Sequence, residues 1–142
     1  FQMANLGRTV PMVELAHANN IFQTAAIAYE RFLDAGGFDM TLSPTLMRAP
    51  EKLGVMALTE PETMGEAVQS FAPHCAVFNQ KGAPAMSVPL HWTGPTPTAP
   101  SGLPLGMMFG SRYGTESLLF ALAGQLERSA PWAHRKPPVW VA

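Results

Sequence analysis

Charged side chains are scarce in this chain of 142 residues: nine Lys and Arg stand against ten Asp and Glu, 13% of the whole, where a soluble domain carries about 25%. With a net charge of −1, there is neither a basic field to hold nucleic acid nor a polyanionic solvating tail. Cysteine is nearly absent. Cys75 alone cannot form an internal disulfide, and no Cys-x-x-Cys or zinc-ligand spacing exists, so a reducing, cytoplasmic setting is the default. The first residues, FQMANLGRTV, lack both an apolar signal-peptide core and an initial Met, and the start reads as a cut. Long apolar runs are missing too. Six prolines and five glycines fall between Gly82 and Ser111, whereas a membrane-spanning helix needs about 20 uninterrupted apolar residues. There is no phosphate-cradling glycine loop followed by lysine and no His or carboxylate cluster at metal-ligand spacing, so no cofactor and no metal are implied.

Core-forming material is present. Apolar residues make up 47% of the chain, interrupted by 14 prolines, which excludes a disordered chain and fits one domain or one part of a larger domain. The charges that exist are unevenly placed: four cations and eight anions up to Glu66, five and two beyond it. From Ala67 to Ser111 the only charged side chain is Lys81. A free surface of that length would carry more charge for solubility, so a protein cover over this stretch is expected.

Apolar residues recur at three- and four-residue steps from Met12 to Leu33, predicting a long amphipathic helix with Thr9 as N-cap, Pro11 in its first turn and Gly36-Gly37 as its stop. Phe38 to Leu42 reads as a short strand stopped by Ser43-Pro44. A loop through Pro50 to Gly54 leads to a more polar helix from Pro61 to Phe71. Pro73 to Gln80 suits a short helix ended by Gly82. Ala85 to Leu90 and Leu103 to Phe109 are compact apolar runs consistent with buried strands, Met107 and Met108 filling core on the two faces. Thr115 opens a last helix, with Leu118, Leu119, Leu122, Ala123 and Leu126 on one face, ending near Ser129. The order is α-β-α-α-β-β-α. Three short strands make a thin sheet, so it is expected to continue into further polypeptide.

A search for a complete active site among these residues fails. Seven serines and four histidines are present, but no Gly-x-Ser-x-Gly elbow. His74 and Cys75 are adjacent, as a thiolate and its base would be, yet neighbours on a helix point apart, and a lone Cys more often packs as a small apolar residue. His17 and His134 read as surface residues.

Four segments taken in order do match a family. Phe38-Asp39-Met40-Thr41-Leu42-Ser43-Pro44-Thr45-Leu46 resembles the FD-x-x-L-x-P-T strand and turn of the amidase signature hydrolases. Phe78 to Pro89, FNQKGAPAMSVP, is similar to their FN-x-x-G-x-P-A-x-S-V-P segment. Gly102 to Gly110 resembles their GLP-x-G strand, followed by a glycine turn, a helix with Glu116, Leu118 and Leu119, and a closing Pro131-Trp132. The wording is nearest to the 6-aminohexanoate cyclic dimer hydrolase type.

The resemblance implies an α/β fold in which residues 1–142 are the C-terminal portion of an amidase signature domain, part of a mixed, twisted sheet with helices on its faces. It implies hydrolysis of carboxylic amides by a Ser-cisSer-Lys triad in the full protein. Those residues belong to an earlier Gly/Ser-rich segment and an earlier lysine; this chain has no Gly-Gly-Ser-Ser-Gly-like run, and Lys52, Lys81 and Lys136 stand at unrelated positions. No catalytic residue is therefore assigned, and the chain alone is expected to be inactive. In related enzymes the short helix and the strand after it border the acyl-side pocket, which makes His74, Cys75, Phe78, Asn79 and Met86 the candidates for binding substrate. The Asn79 amide either satisfies buried backbone groups or orients a substrate. The partners implied are a small-molecule amide and the missing N-terminal part of the same protein, with no nucleic acid and no membrane. Two rivals remain: a non-catalytic accessory module that associates through its uncharged central stretch, and a homo-oligomer formed through the apolar surface that a partial sheet exposes.

Overall fold

In the computed structural model, residues 2–54 and 61–137 are described. Two helices open the chain, α1 (Gln2–Thr9) and α2 (Met12–Gly36). Thr9, expected to cap a single long helix, is instead the last residue of α1. Val10 precedes a proline, which disfavours the helical conformation. Pro11, extended at φ −62° and ψ 148°, then opens α2 without a side-chain cap. The stop falls where the sequence puts it. Gly37 takes φ 62°, its N–H bonds the Asp34 carbonyl at 3.2 Å and the Phe38 N–H bonds Leu33 at 2.9 Å, the paired arrangement of a left-handed helix cap.

The remaining elements are β1 (Met40–Pro44), α3 (Pro61–Phe71), α4 (Cys75–Lys81), β2 (Ala85–Trp92), β3 (Pro104–Ser111) and α5 (Glu116–Ser129). β1 begins two residues later than expected and includes Pro44 instead of stopping before it. It is an edge strand, so the missing proline N–H interrupts no ladder on its outer side. The strands form one antiparallel sheet in the order β1-β3-β2, with the last strand of the chain at its centre.

Register decides what each face carries, because successive side chains point to opposite sides. Leu42, Phe109 and Met86 stand in one row; Thr41, Gly110 and Ala85 stand in the next. The first face is covered by α5, whose Leu119 packs with Val88 and Phe109, joined by Met40, Met86, Leu90, Met107, Leu122, Leu126 and Trp132. Thr115 stands at the N-cap position of α5, but its hydroxyl donates backwards to the Arg112 carbonyl at 2.7 Å. The second face receives α4, whose Phe78 ring occupies the space a side chain at Gly110 would fill. Met107 and Met108 divide between these faces: Met107 packs against the α5 cluster and Met108 is 5% exposed.

α2 buries Leu33 completely but leaves Met12, Val13, Leu15, Ile21, Ile27 and Phe32 exposed. Its apolar stripe is wider than the described residues cover. At its C-terminal end it is tied to the sheet by Arg112, which meets Asp34 at 2.7 Å and Glu30 at 3.5 Å and donates to the Phe38 carbonyl at 3.2 Å.

At Gly110 the backbone of β3 comes directly against the Phe78 ring. Gly110→Ala would drive a Cβ into the Phe78 ring, and the expected destabilisation is about 1–3 kcal/mol by overpacking, measured by urea denaturation. The same substitution made in a Phe78→Leu background should lose most of that penalty; an equal penalty in both backgrounds would mean that the two residues do not meet.

Candidate functional site

The segment that the family resemblance marks as a pocket border is built around α4. Ala72 closes the preceding turn with a 2.8 Å bond from its N–H to Val68, and the Cys75 N–H reaches the Ala72 carbonyl at 3.3 Å. Only two turns follow before Gly82, at φ 68°, ends the helix with its N–H on the Phe78 carbonyl. Pro84 then aims the chain into β2, its carbonyl accepting the Ser111 N–H at 3.1 Å.

Two contacts seat α4. At its first residue the Cys75 thiol donates to the Thr45 carbonyl, with sulfur and oxygen 3.3 Å apart. Thr45 in turn shares a 2.6 Å hydroxyl–hydroxyl bond with Ser87. The pair lies across Gly106, where a Cβ would collide with both. Toward the other end, Phe78 meets Tyr29 of α2 edge to face, centroids 6.0 Å apart at 83°. The Tyr29 hydroxyl is 3.1 Å from that of Thr41 on β1. Burial raises the Tyr29 phenol above its ordinary value of 10.0, with the Thr41 hydrogen bond opposing it. Lys81 ends the helix over the faces of Tyr29 and Phe78, its nitrogen 3.9 Å from the Phe78 centroid. Burial pushes this amine down to about 8, opposed by the charge of Glu30.

His74, Cys75, Phe78 and Asn79 thus share one short segment on the α4 side of the sheet. Met86 does not join them: it packs with Val88, Phe109 and Leu119 on the opposite face. The reason is the strand period, which turns alternate residues of β2 away from α4. Asn79 is exposed, and its amide has no hydrogen-bond partner among the described residues, so it satisfies no buried backbone group here. His74 is the half-buried residue before α4, without a side-chain cap. The Cys75 thiol is committed to a carbonyl and forms no pair with the neighbouring His74. Among the described residues no serine or cysteine is hydrogen-bonded to a histidine, lysine or carboxylate, which is what activating a nucleophile requires.

The residues that sequence reasoning missed are Tyr29, Thr41, Thr45, Ser87 and Lys81. All but Tyr29 stood inside the matched segments. Lys81 carried a signal of its own, as the lone charge in the stretch from Ala67 to Ser111. Two clefts lie away from these residues. One, of about 280 Å³, runs between the 44–50 segment, His91 and the 104–107 stretch. The other, of about 410 Å³, is bordered by Trp92, the 98–104 segment and the 135–137 segment. In the latter, Arg135 stacks on Trp92 at 4.7 Å.

Comparison with known proteins bears on the same segments. The family model described as Amidase matches residues 10–120. "Putative amidase AmiC" of Mycobacterium bovis is 35% identical over 103 residues, which is 72% of this chain and 20% of that protein. The 6-aminohexanoate-cyclic-dimer hydrolase of Paenarthrobacter ureafaciens is 30% identical over 115 residues, 76% of this chain and 22% of its own length. The solved structure of a 6-aminohexanoate cyclic dimer hydrolase superposes with a TM-score of 0.81 at 28% identity, covering 96% of this chain and 28% of that one. The chain therefore spans about a fifth of the length of the curated relatives it matches.

Packing and exposure separate two neighbours on α4. Phe78→Ala, which empties the space over Gly110, should destabilise the chain by about 3 kcal/mol, the low end of the range because the ring is half-buried. Asn79→Ala, at an exposed position, should stay within about 0.5 kcal/mol. Urea titration of both variants checks this; an Asn79 substitution as costly as the Phe78 one would assign Asn79 a structural role.

Proposed function

The chain belongs to the amidase family, and from that premise we propose that it works as the C-terminal portion of an enzyme hydrolysing carboxylic amide C–N bonds. In this reading the chain contributes core sheet and one pocket wall, while a Ser-cisSer-Lys triad comes from the rest of the same protein. The observation that carries it is a pairing: a family match over residues 10–120 in a chain whose described serines and cysteine lack an activating base. A serine hydroxyl is a weak nucleophile until a base takes its proton, so a wall without that pair binds and orients but does not cleave.

The wall is α4. His74, Cys75 and Phe78 offer half-buried surface, and Asn79 offers an uncommitted amide that can donate to and accept from a substrate amide. Met86 supports the wall from the far side of the sheet by filling the core under α5. The substrate is a small carboxylic amide. A cytoplasmic setting goes with the single free thiol, and no helix among the described residues is long and apolar enough to cross a membrane.

The exposed apolar residues of α2 favour one further reading, that this face is covered by protein. The N-terminal part of the same protein is the cover we propose. A homo-oligomer of this chain is the rival, and light scattering that finds a dilute soluble monomer would remove it. The catalytic reading has its own test. The 142-residue chain should show no turnover of a chromogenic anilide, and the protein containing the remaining amidase sequence should show it. Turnover by the chain alone, lost when one of its own serines is replaced, would overturn the proposal.

A further inference from the structure

Lys81 is a charged residue in a place built for an uncharged one. Its nitrogen is buried and has no hydrogen-bond partner among the described residues. Removing an ammonium from water without supplying an acceptor is strongly unfavourable. The compensation present is aromatic: the nitrogen sits over the ring of Tyr29 and 3.9 Å from the centroid of Phe78, where ring quadrupoles attract a cation. The nearby carboxylate of Glu30 is already engaged, by the Arg112 guanidinium at 3.5 Å and the Tyr113 N–H at 3.2 Å.

The same two rings locate α4. Phe78 is fixed by its edge contact with Tyr29 and by its seat on Gly110, and Asn79 is the next residue. We propose that Lys81 is a positioning residue for the α4 wall, its proton setting how closely Phe78 and Asn79 are held against α2. The catalytic consequence rests on the amidase reading above; the structural one does not.

With the proton on, the nitrogen requires solvation that the two rings supply only in part. With the proton off, that demand disappears and α4 settles against Tyr29. Burial lowers the amine from its ordinary 10.5 to about 8, with Glu30 opposing. Between those two values the unfolded chain binds more protons than the folded one, so stability rises with pH across that window and the gain is absent below pH 8. The titratable and charged groups around Lys81 are Tyr29 and Glu30 on α2, with Arg112 beyond β3 held on Glu30; His74, just before α4, and Cys75, its first residue, stand at the opposite end of the helix. Burial raises the Tyr29 phenol above its ordinary 10.0, away from the Lys81 value of about 8.

The test is a pH titration by NMR of the 142-residue chain carrying ¹³C in its lysine side chains and in its Tyr and Phe rings. One lysine signal, absent from Lys81→Met, should titrate near pH 8, well below the ordinary lysine value of 10.5, and the Tyr29 and Phe78 ring signals should move with the same midpoint. In Lys81→Met the rings should stay at the high-pH position throughout; in Lys81→Arg, which keeps its charge, they should stay at the low-pH position. A Lys81 signal titrating at the ordinary lysine value of 10.5 would overturn the proposal, as would ring signals that still move near pH 8 in both variants, since that would assign the effect to another group. In the intact protein, KM for an amide should fall from pH 7 to pH 9, and Lys81→Met should match the pH 9 value at both. An unchanged KM profile in Lys81→Met would break the link to substrate. An intact protein without amide turnover would contradict the amidase reading and leave the ring titration to decide the role of Lys81.

Discussion

Everything on the α4 side of the sheet depends on a side chain that is absent, at Gly110. The Phe78 ring lies directly on the backbone of the central strand there, a closeness that only glycine allows. From that contact the rest of the wall follows. Phe78 meets Tyr29, Tyr29 reaches Thr41 on β1, and Lys81 rests on both rings. Gly106, two positions from Met108 on the same strand, repeats the device beneath the Thr45–Ser87 pair. A strand with Met107 and Phe109 toward α5, and with Gly106 and Gly110 flanking Met108 on the α4 side, lets one sheet carry a packed core on one face and a close-set helix on the other.

That asymmetry divides labour within the chain. The α5 face, with Val88, Phe109 and Leu119 at its centre, is apolar and excludes water. The α4 face carries hydroxyls at Thr41, Thr45 and Ser87, a thiol committed to a carbonyl, and an exposed amide at Asn79. Polar groups beside a short helix that two contacts hold in place suit a binding surface better than a core. This chain belongs to the amidase family, and in our reading this surface faces a substrate whose chemistry is performed by other residues of the same protein.

Much of the fold was legible because proline and glycine punctuate it. Pro61 and Gly82 mark helix ends through fixed φ and tolerance of positive φ, and the Gly37 stop was read for the same reason. Helix α1 was not anticipated, because Thr9 reads as the N-cap of the Met12–Leu33 periodicity when it is the last residue of a separate helix that ends before the pre-proline Val10. Pro44 was read as a stop because its edge position, which makes it harmless, is a fact of sheet order and not of local sequence. The candidate site was half legible. His74, Cys75, Phe78 and Asn79 share a segment and so came together, whereas Met86 was assigned to the same wall though strand alternation sends it to the other face. Tyr29 is distant in sequence from α4, and nothing local tells that its ring lies under Lys81. The charge deficit between Ala67 and Ser111 was the better clue, since the one charge left in it has its nitrogen buried without a hydrogen-bond partner among the described residues.

The role of this chain as a wall turns on where the nucleophile lies. Labelling the intact protein with a serine-directed phosphonofluoridate, followed by peptide mapping in a mass spectrometer, locates that residue directly. The expected result is a single labelled serine outside these 142 residues, with the seven serines of this chain unmodified. A label on any one of those seven would place the reacting hydroxyl inside this chain and contradict its role as a wall.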